Sequence, residues 1–258
     1  MQTIKRKGVN GKPRVAPVSN TENEPKRTEV QSHGFSWEQE LMTKVYGATQ
    51  DELKEITYTS KIDLPSNLNR LDKCDVSIKT SCSPNAVCMA DCLRIFDAVS
   101  NGDSNGVNDG VNDGNSEKPL HMVVVHYKQD GSKKKVASIT EIDLTSSREL
   151  LFGNLTREQI EELDRAVKSV PQKRKPTDEE YKKMYSIRDM LQKESAAIHL
   201  DIKCNSTQSR LQCSFNHFQD FIKNNPSRVV ERSNTNEFRG GKISSEIESL
   251  CRVFKKTL

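Results

Sequence analysis

Residues 120–128 read LHMVVVHYK, a nearly continuous apolar run. Such a run is expected of a β-strand covered on both faces, because an exposed face would show polar residues at alternate positions. Asp130 and Gly131 form a tight-turn signal directly after it, and residues 134–144, KKVASITEIDL, have the composition of a second strand. The sequence therefore predicts a β-hairpin whose first strand is fully buried.

Three further segments predict strands because apolar and polar residues alternate along them, which puts each kind on its own face. In CDVSIK, residues 74–79, every second residue is apolar, beginning with Cys74. The same alternation runs through AIHLDIK, residues 197–203, and SRLQCSF, residues 209–215. We expect each strand to turn one face to the core and the other to water.

Helical periodicity and capping signals predict the segments between the strands. Residues 87–99 carry apolar residues at helical spacing. Thr49 with Glu52, and Thr177 with Glu180, have the spacing of a capping box, and Thr156 is placed to cap the helix that follows it. Together with the strands, the helices predict an α/β (α+β) architecture. The predicted helices are 36–56 (one or two short helices), 87–99, 156–169, 177–195, 216–224 and 242–256.

Composition and charge suggest how the chain is divided. Only 33% of the 258 residues are hydrophobic, and the formal net charge is +4. Residues 1–34 hold seven basic and three acidic residues and almost no hydrophobic periodicity, which predicts a disordered basic tail. Residues 35–258 are then expected to form a single domain with a low-complexity loop at 101–116. The distal part of this domain, residues 203–258, holds ten basic and five acidic residues.

The sequence shows no signal for membrane insertion or export. No apolar stretch approaches the roughly 18 residues that span a bilayer, and the first residues lack the apolar run of a secretory signal. We therefore expect a soluble, intracellular protein, located in the cytoplasm or in a host cell if the gene is viral. The seven cysteines then predict free thiols in a reducing compartment.

One strand face carries residues suited to phosphodiester chemistry. Asp75, Ser77 and Lys79 share the polar face of the strand at 74–79, with about 6–7 Å between successive positions. A carboxylate can hold Mg²⁺, and an ammonium can orient a water and neutralise the charge that develops on phosphorus. By spacing alone, an ordinary solvated strand face is the favoured interpretation of this pattern.

Two longer segments resemble a known nuclease family. DVSIKT, which runs through a turn into VCMADCLRIFDAV, resembles the strand, turn and helix of the PD-(D/E)XK nucleases, in particular restriction endonucleases of bacteria and of large DNA viruses of algae. KCNSTQSRLQCSF and the following FQDFIKNNPSRVV resemble the distal part of the same enzymes. Together these segments cover about a third of the chain.

The resemblance implies a restriction-endonuclease-like core, a central mixed β-sheet flanked by helices, with an acidic metal site at the sheet edge and DNA lying across it. It implies a sequence-specific, Mg²⁺-dependent endonuclease of type II restriction character that cleaves double-stranded DNA. A homodimer is expected, since cutting a duplex needs two sites or two sequential nicks. A cognate DNA methyltransferase acting on the same site is a further expected partner.

The chain departs from the family pattern at Ser77, where an acidic residue should precede the lysine by two positions. Some restriction enzymes resembling this variant keep S-x-K and bring the missing acid from elsewhere in the fold. We predict Asp75 and Lys79 as site residues, then Asp63 as the upstream acid and metal ligand, then Asp91. The other candidate acids are Glu52, Glu55 and Asp72.

Different residues are expected to bind DNA. Arg210 and Gln212 lie on the polar face of the strand at 209–215, and these types can pair with guanine and adenine edges in the major groove. Lys203 and Arg228 are better suited to phosphates, which fix position without reading sequence. A solvated sheet edge explains the same pattern. The competing interpretations are a non-catalytic DNA-binding protein on a degenerate nuclease scaffold and an RNA-associated or structural module.

The cysteines at the start of the predicted domain do not predict a zinc site. Cys74, Cys82, Cys88 and Cys92 are separated by eight, six and four positions, whereas structural zinc sites use closely spaced pairs. No pair of histidines has zinc-binding spacing either. Buried core thiols are the favoured interpretation.

Overall fold

The structure is a computed structural model that describes residues 36–55, 62–100, 119–171, 174–205 and 208–248. The predicted basic tail at 1–34 and the predicted loop at 101–116 lie outside these residues. Within them the chain is mixed α/β, with a mixed β-sheet and a second, antiparallel sheet flanked by helices. No helix in the described ranges is long and apolar enough to cross a membrane.

The helices and strands are numbered in chain order. The helices are α1 (36–45, π-helical over Leu41–Val45), α2 (Gln50–Glu55), α3 (Cys92–Ser100), α4 (Arg148–Phe152), α5 (Arg157–Lys168), α6 (Asp178–Gln192) and α7 (Phe218–Asn224), followed by a 3₁₀ turn at Pro226–Arg228. The strands are β1 (Asp75–Ser81), β2 (Val87–Asp91), β3 (Leu120–Asp130), β4 (Lys133–Asp143), β5 (Ile198–Asn205), β6 (Gln208–Phe215), β7 (Val229–Ser233), β8 (Glu237–Phe238), β9 (Gly241–Lys242) and β10 (Glu246–Glu248).

The main sheet is built around the predicted hairpin. Its strands run in the order β1, β3, β4, and the outer edge of β4 is shared by β7 and β10. β1 and β3 are parallel, whereas the other pairs are antiparallel. Parallel neighbours need a crossover connection, and this one includes β2 and α3. The turn between β3 and β4 uses Gly131 at φ 57°, a backbone conformation that favours glycine.

Both faces of the main sheet are buried, as the apolar run at 120–128 predicts. Met122 and Val124 face a core shared with α3, α5 and the second sheet. Val123 and Val125 face the opposite core, which α1 closes with Trp37. The main sheet therefore has a separate core on each side, and the alternating residues of β1 point toward these two sides in turn.

The second sheet contains the two distal strands that the sequence predicts. Its order is β2, β6, β5, with antiparallel pairing throughout. Leu200 and Cys213 are buried on the side of α5, whereas His199, Asp201 and Ser214 lie on the opposite, polar side. This sheet therefore has one face in the core and one polar face, as the alternation predicts.

The capping signals are confirmed at three helices. Thr177 and Glu180 form a full capping box at the start of α6, and Thr156 does the same with Gln159 at α5. The backbone N–H of Thr49 donates to Glu52 at 2.7 Å ahead of α2. Each cap satisfies backbone N–H groups that have no partner inside the helix.

The prediction of one helix over residues 87–99 is wrong in its first part. Residues Val87–Asp91 form β2, and α3 begins only at Cys92. Val87 and Met89 are buried whereas Cys88 between them is exposed, which is the period of a strand. A short apolar run fits both periods, and pairing with β6 decides between them here.

The predicted helix at 242–256 is also wrong within the described residues. The chain there forms β9 and β10, and residues 249–256 of the prediction lie outside the described part. Ile243 and Ile247 have helical spacing, but the backbone pairs with residues 133–135 of β4 instead. Glu246 forms an ion pair with Lys133 across this pairing, at 2.6 Å. The long-range ladder thus overrides the local pattern.

The first and last described segments are bonded to each other. The indole Nε1 of Trp37 donates to the carbonyl oxygen of Ser244 at 2.8 Å. Glu40 accepts hydrogen bonds from the backbone N–H and the hydroxyl of the same serine. The α1 helix and the segment between β9 and β10 therefore close one core together.

Candidate functional site

Asp63 lies against the polar face of β1. Its Oδ2 accepts hydrogen bonds from the hydroxyl of Ser77 at 3.0 Å, from the backbone N–H of Ile78 at 2.7 Å and from Nζ of Lys79 at 3.0 Å. The predicted upstream acid is thus in contact with both residues of the S-x-K pattern. The Asp63 carboxylate and the Lys79 ammonium, 16 positions apart in the sequence, therefore form one site.

Strand geometry explains this arrangement. Leu64 and Val76 form an isolated antiparallel bridge, which places Asp63 opposite Ser77. The site lies at the β1 end of the main sheet, where the ion pair stays partly accessible. The side chains of Lys79 and Asp63 keep 20% and 22% of their exposure. Both charged groups therefore remain partly open to solvent.

Asp75 and Asp91, the other predicted metal ligands, have different surroundings. Asp75 lies on the same strand face as Ser77, and its Oδ1 accepts the backbone N–H of Ser66 at 2.7 Å. Asp91 is the last residue of β2, and its Oδ1 accepts the N–H of Arg94 at 3.3 Å, which caps α3. The remaining candidate acids have other positions: Glu52 with Arg70, Glu55 at the end of α2 and Asp72 with Arg239.

The second sheet packs beside the strand that carries this site, because its edge strand β2 contacts β1. Asp201 accepts a hydrogen bond from the hydroxyl of Ser214 at 2.6 Å. This second carboxylate was not among the predicted site residues, although the alternation of residues 197–203 places it on the polar face.

The predicted DNA-binding residues separate into two groups. Lys203 and Arg210 lie opposite each other in β5 and β6, and Arg210 is exposed. Gln212 is on the same strand but only 8% exposed, so its amide is much less accessible to a base. Arg228 donates to the carbonyl of Thr145 at 2.9 Å and braces the loop after β4. Of the four residues, Arg210 and Lys203 are therefore the adjacent pair that keeps accessible side chains.

A second cluster of charged groups lies around the start of β1. Asp72, Cys74, His121 and Glu141 could hold a metal ion, since one ligand atom of each lies within 4.8 Å of the others. His121 Nδ1 is 2.7 Å from Glu141 Oε1. The guanidinium of Arg239 contacts Asp72 and also Glu141, the latter at 2.8 Å. Every carboxylate of the cluster thus has a cationic neighbour.

Burial and charge perturb the pKa values of this cluster strongly. Burial alone would lower the pKa of His121, but hydrogen bonds to Cys74 and Glu141 outweigh it and raise the pKa to about 10. Burial would raise the pKa of Glu141, but His121 and Arg239 hold it below its usual value. The cluster is therefore a network of paired charges that extends from the buried Glu141 to the exposed Asp72.

This cluster was not predicted from the sequence. Cys74 and Cys92 are buried, as predicted for core thiols, whereas the same prediction is wrong for Cys82 and Cys88, which are exposed. The signal that was available is the presence of His121 and a glutamate inside two strands of a buried hairpin, because buried ionisable groups need partners. Their spacing along the chain carries no motif.

Comparison with known proteins adds no relative. No protein-family model matches the sequence, and no curated protein or solved structure matches it either. Any function for this chain is therefore inferred from the geometry of its own residues.

Proposed function

We propose that this chain is a Mg²⁺-dependent endonuclease that cleaves double-stranded DNA at specific sequences, in the manner of type II restriction enzymes. The observation that carries the proposal is the contact of one Asp63 oxygen with both Ser77 and Lys79. Asp63 thus supplies an acid beside Lys79, and the S-x-K pattern of β1 itself contains no such acid.

The donor groups suit magnesium. Asp63 and Asp75 offer hard carboxylate oxygens on one face of β1, and Mg²⁺ is usually bound by one or two carboxylates plus waters and substrate phosphates. Asp201 adds a further carboxylate on the polar face of the neighbouring sheet. When bound, Mg²⁺ would lower the pKa of a coordinated water and stabilise the departing 3′ oxygen.

The protein residues have separate tasks in this proposal. Lys79 places a positive charge where it can orient the attacking water and the scissile phosphate. Ser77 occupies the position of the missing acid and positions Asp63 through its hydroxyl. The exposed Arg210 and the adjacent Lys203 would hold the DNA, the arginine at a guanine edge and the lysine at phosphate. A homodimer would present one such site to each strand, and a methyltransferase would protect the same sequence in the host genome.

A specific observation also favours the competing function, DNA binding without catalysis. Oδ2 of Asp63 already accepts three hydrogen bonds from β1 and Lys79. In the competing function, the Asp63 carboxylate only holds the segment before β1 in place. Ser77 then marks a degenerate nuclease scaffold. The two functions differ in whether DNA is cut.

The deciding experiment incubates the full-length protein with long duplex DNA, with and without Mg²⁺. We expect discrete fragments only with Mg²⁺, and their loss in Lys79→Ala with DNA binding preserved. Lys133→Ala is the matched control, because Lys133 also forms a strand-borne ion pair with a glutamate, at the far edge of the main sheet.

The outcomes separate the two functions. Fragments from the wild type and from Lys133→Ala, but not from Lys79→Ala, support the endonuclease. A retarded but intact band under all conditions supports binding without catalysis. Full cleavage by Lys79→Ala rules out the site assignment.

A further inference from the structure

The cluster of Asp72, Cys74, His121 and Glu141 is on the opposite face of the main sheet from the proposed catalytic site. In the parallel register of β1 and β3, Val76 lies beside His121, whereas Ser77, which meets Asp63, points to the other side. The two groups are therefore separate, and the cluster has no part in the chemistry proposed above.

The spacing of the cluster is close to that of a four-coordinate metal site. Its four ligand atoms lie within 4.8 Å of one another. In tetrahedral zinc sites, bond lengths of about 2.0–2.3 Å place neighbouring ligand atoms about 3.3–3.8 Å apart. The four side chains need to contract by only about 1 Å to enclose an ion.

The chemistry of the donors selects the metal. A cysteine sulfur and a histidine nitrogen suit a borderline-soft cation, whereas Mg²⁺ and Ca²⁺ prefer oxygen ligands alone. Aspartate and glutamate complete ligand sets of this kind. We propose that Asp72, Cys74, His121 and Glu141 together bind one Zn²⁺ ion.

Groups around the ligands support this assignment. Asn69 donates from its side-chain amide to Sγ of Cys74 at 3.3 Å and to the carbonyl of the same residue at 2.9 Å. Arg239 contacts both carboxylates. Hydrogen bonds from outside the coordination sphere orient the ligands of metal sites. Three anionic ligands are balanced by one Zn²⁺ and one guanidinium, so the occupied site is neutral.

Tyr46 provides a second observation. It is fully buried, and its hydroxyl makes no hydrogen bond of ordinary geometry within the described residues. Tyr46 packs in the same core as Cys74, and burial, the charge of Glu141 and an interaction with that carboxylate raise the pKa of its hydroxyl. A polar group buried without a good partner is costly, and Tyr46 is placed to orient Glu141 on a bound ion.

Zinc at this position has a structural role. Asp72 and Cys74 immediately precede β1, while His121 and Glu141 belong to β3 and β4. All four positions of a tetrahedral ion would be filled by protein, which is the mark of a structural site. The ion ties the start of β1 to the central hairpin and thereby fixes the strand that carries Ser77 and Lys79.

The test uses untagged, full-length protein stripped with a chelator. Zinc is added by calorimetric titration in the presence of excess Mg²⁺, and cobalt(II) is added separately, because its absorption reports tetrahedral geometry and a thiolate ligand. We expect one zinc per chain and a cobalt–thiolate band. Cys74→Ser should remove that band. His121→Gln should weaken zinc binding by more than about a hundredfold, which exceeds the loss typical of a residue that only hydrogen-bonds to a metal ligand.

Controls keep the result independent of folding and of nuclease activity. Cys82→Ser changes an exposed thiol outside the cluster, and Asp63→Asn changes the opposite face. Both should bind one zinc with unchanged affinity, and circular dichroism checks that each variant is folded. If wild type takes up no zinc, or if folded Cys74→Ser and His121→Gln bind it as wild type does, the cluster is only an ionic network and the proposal is wrong.

Discussion

The two faces of the main sheet carry charged groups in opposite settings. On one face, Asp63 and Lys79 form an ion pair in which both side chains keep about a fifth of their exposure. On the other, Glu141 has no exposure at all and lies between His121 and Arg239. The Asp63–Lys79 pair is therefore partly exposed, whereas Glu141 is enclosed by protein.

The difference in burial implies a difference in use. Exposed ion pairs contribute about 0–1 kcal/mol to stability, because water and salt screen them. Removing one partner of a buried pair costs about 3–5 kcal/mol, because an unpaired charge is left without water. The Asp63 pair is therefore expected to contribute little to stability, whereas the Glu141 group stabilises the fold.

The largest expected effect is on stability at the buried face. Glu141→Gln should lower the free energy of unfolding by about 3–5 kcal/mol, because His121 and Arg239 lose their shared counter-charge. Urea denaturation in the presence of a chelator measures this. Glu246→Gln, which removes a surface carboxylate paired with Lys133, should change stability little. Equal losses in both variants would contradict the comparison.

The open face should respond in activity. Asp63→Asn should reduce DNA cleavage by about a hundred- to a thousandfold, as expected when an electrostatic group of an active site is removed. Its unfolding free energy should change by about 1 kcal/mol or less, since the pair is partly exposed. Cleavage rates and urea midpoints are measured together. Asp97→Asn, which breaks the ion pair with Arg157, is the control and should cleave normally.

The metal-free cluster should make stability depend on pH. The pKa of His121 is raised from 6.5 to about 10 in the folded protein. Its stabilising contribution is complete below the unfolded pKa and is lost as pH rises through about 10. Between pH 6.5 and about pH 10, the free energy of unfolding falls by at most about 1.4 kcal/mol for each pH unit.

Subtracting the stability curve of His121→Gln from that of wild type isolates this effect from other titrating groups. Both curves are measured by denaturant unfolding in a chelator between pH 6 and pH 10. Parallel curves across the window would show that His121 is not held in its charged form.

The smallest expected effect concerns DNA recognition. Arg210→Ala should weaken binding to the specific sequence by about 1–3 kcal/mol and binding to scrambled DNA less, if the arginine reads a base. Lys203→Ala should weaken both equally. Arg228→Ala should leave both nearly unchanged, since this arginine braces the loop at Thr145. Gel-shift titrations on the two DNAs distinguish these patterns.

The sequence was most informative where local patterns and tertiary packing agree. The apolar run at 120–128 became a strand buried on both faces, and the alternating segments at 74–79, 197–203 and 209–215 became strands with one polar face. Thr156 and Thr177 cap helices because the cap depends on residues only three positions apart. These features are local, so a single sequence contains them.

Features set by distant partners could not be predicted. β7 and β10 exist because they pair with β4, about a hundred positions away, and nothing in their own composition requires this. The cluster around His121 combines residues from the segment before β1, from β3 and from β4 with Arg239. No spacing along the sequence therefore predicts it. For the open site, Asp63 was one of several candidate acids, and only the bridge beside β1 places it at Ser77.

The bond between Trp37 and Ser244 gives the molecule a built-in fluorescent probe. Trp37 is the sole tryptophan of the chain, and its indole donates to a residue 207 positions away. Its emission should therefore respond when the last strands dock on α1, a contact with a high closure entropy. In stopped-flow refolding, far-UV circular dichroism that recovers before tryptophan emission would show that the hairpin core forms first and the two distant segments join it later.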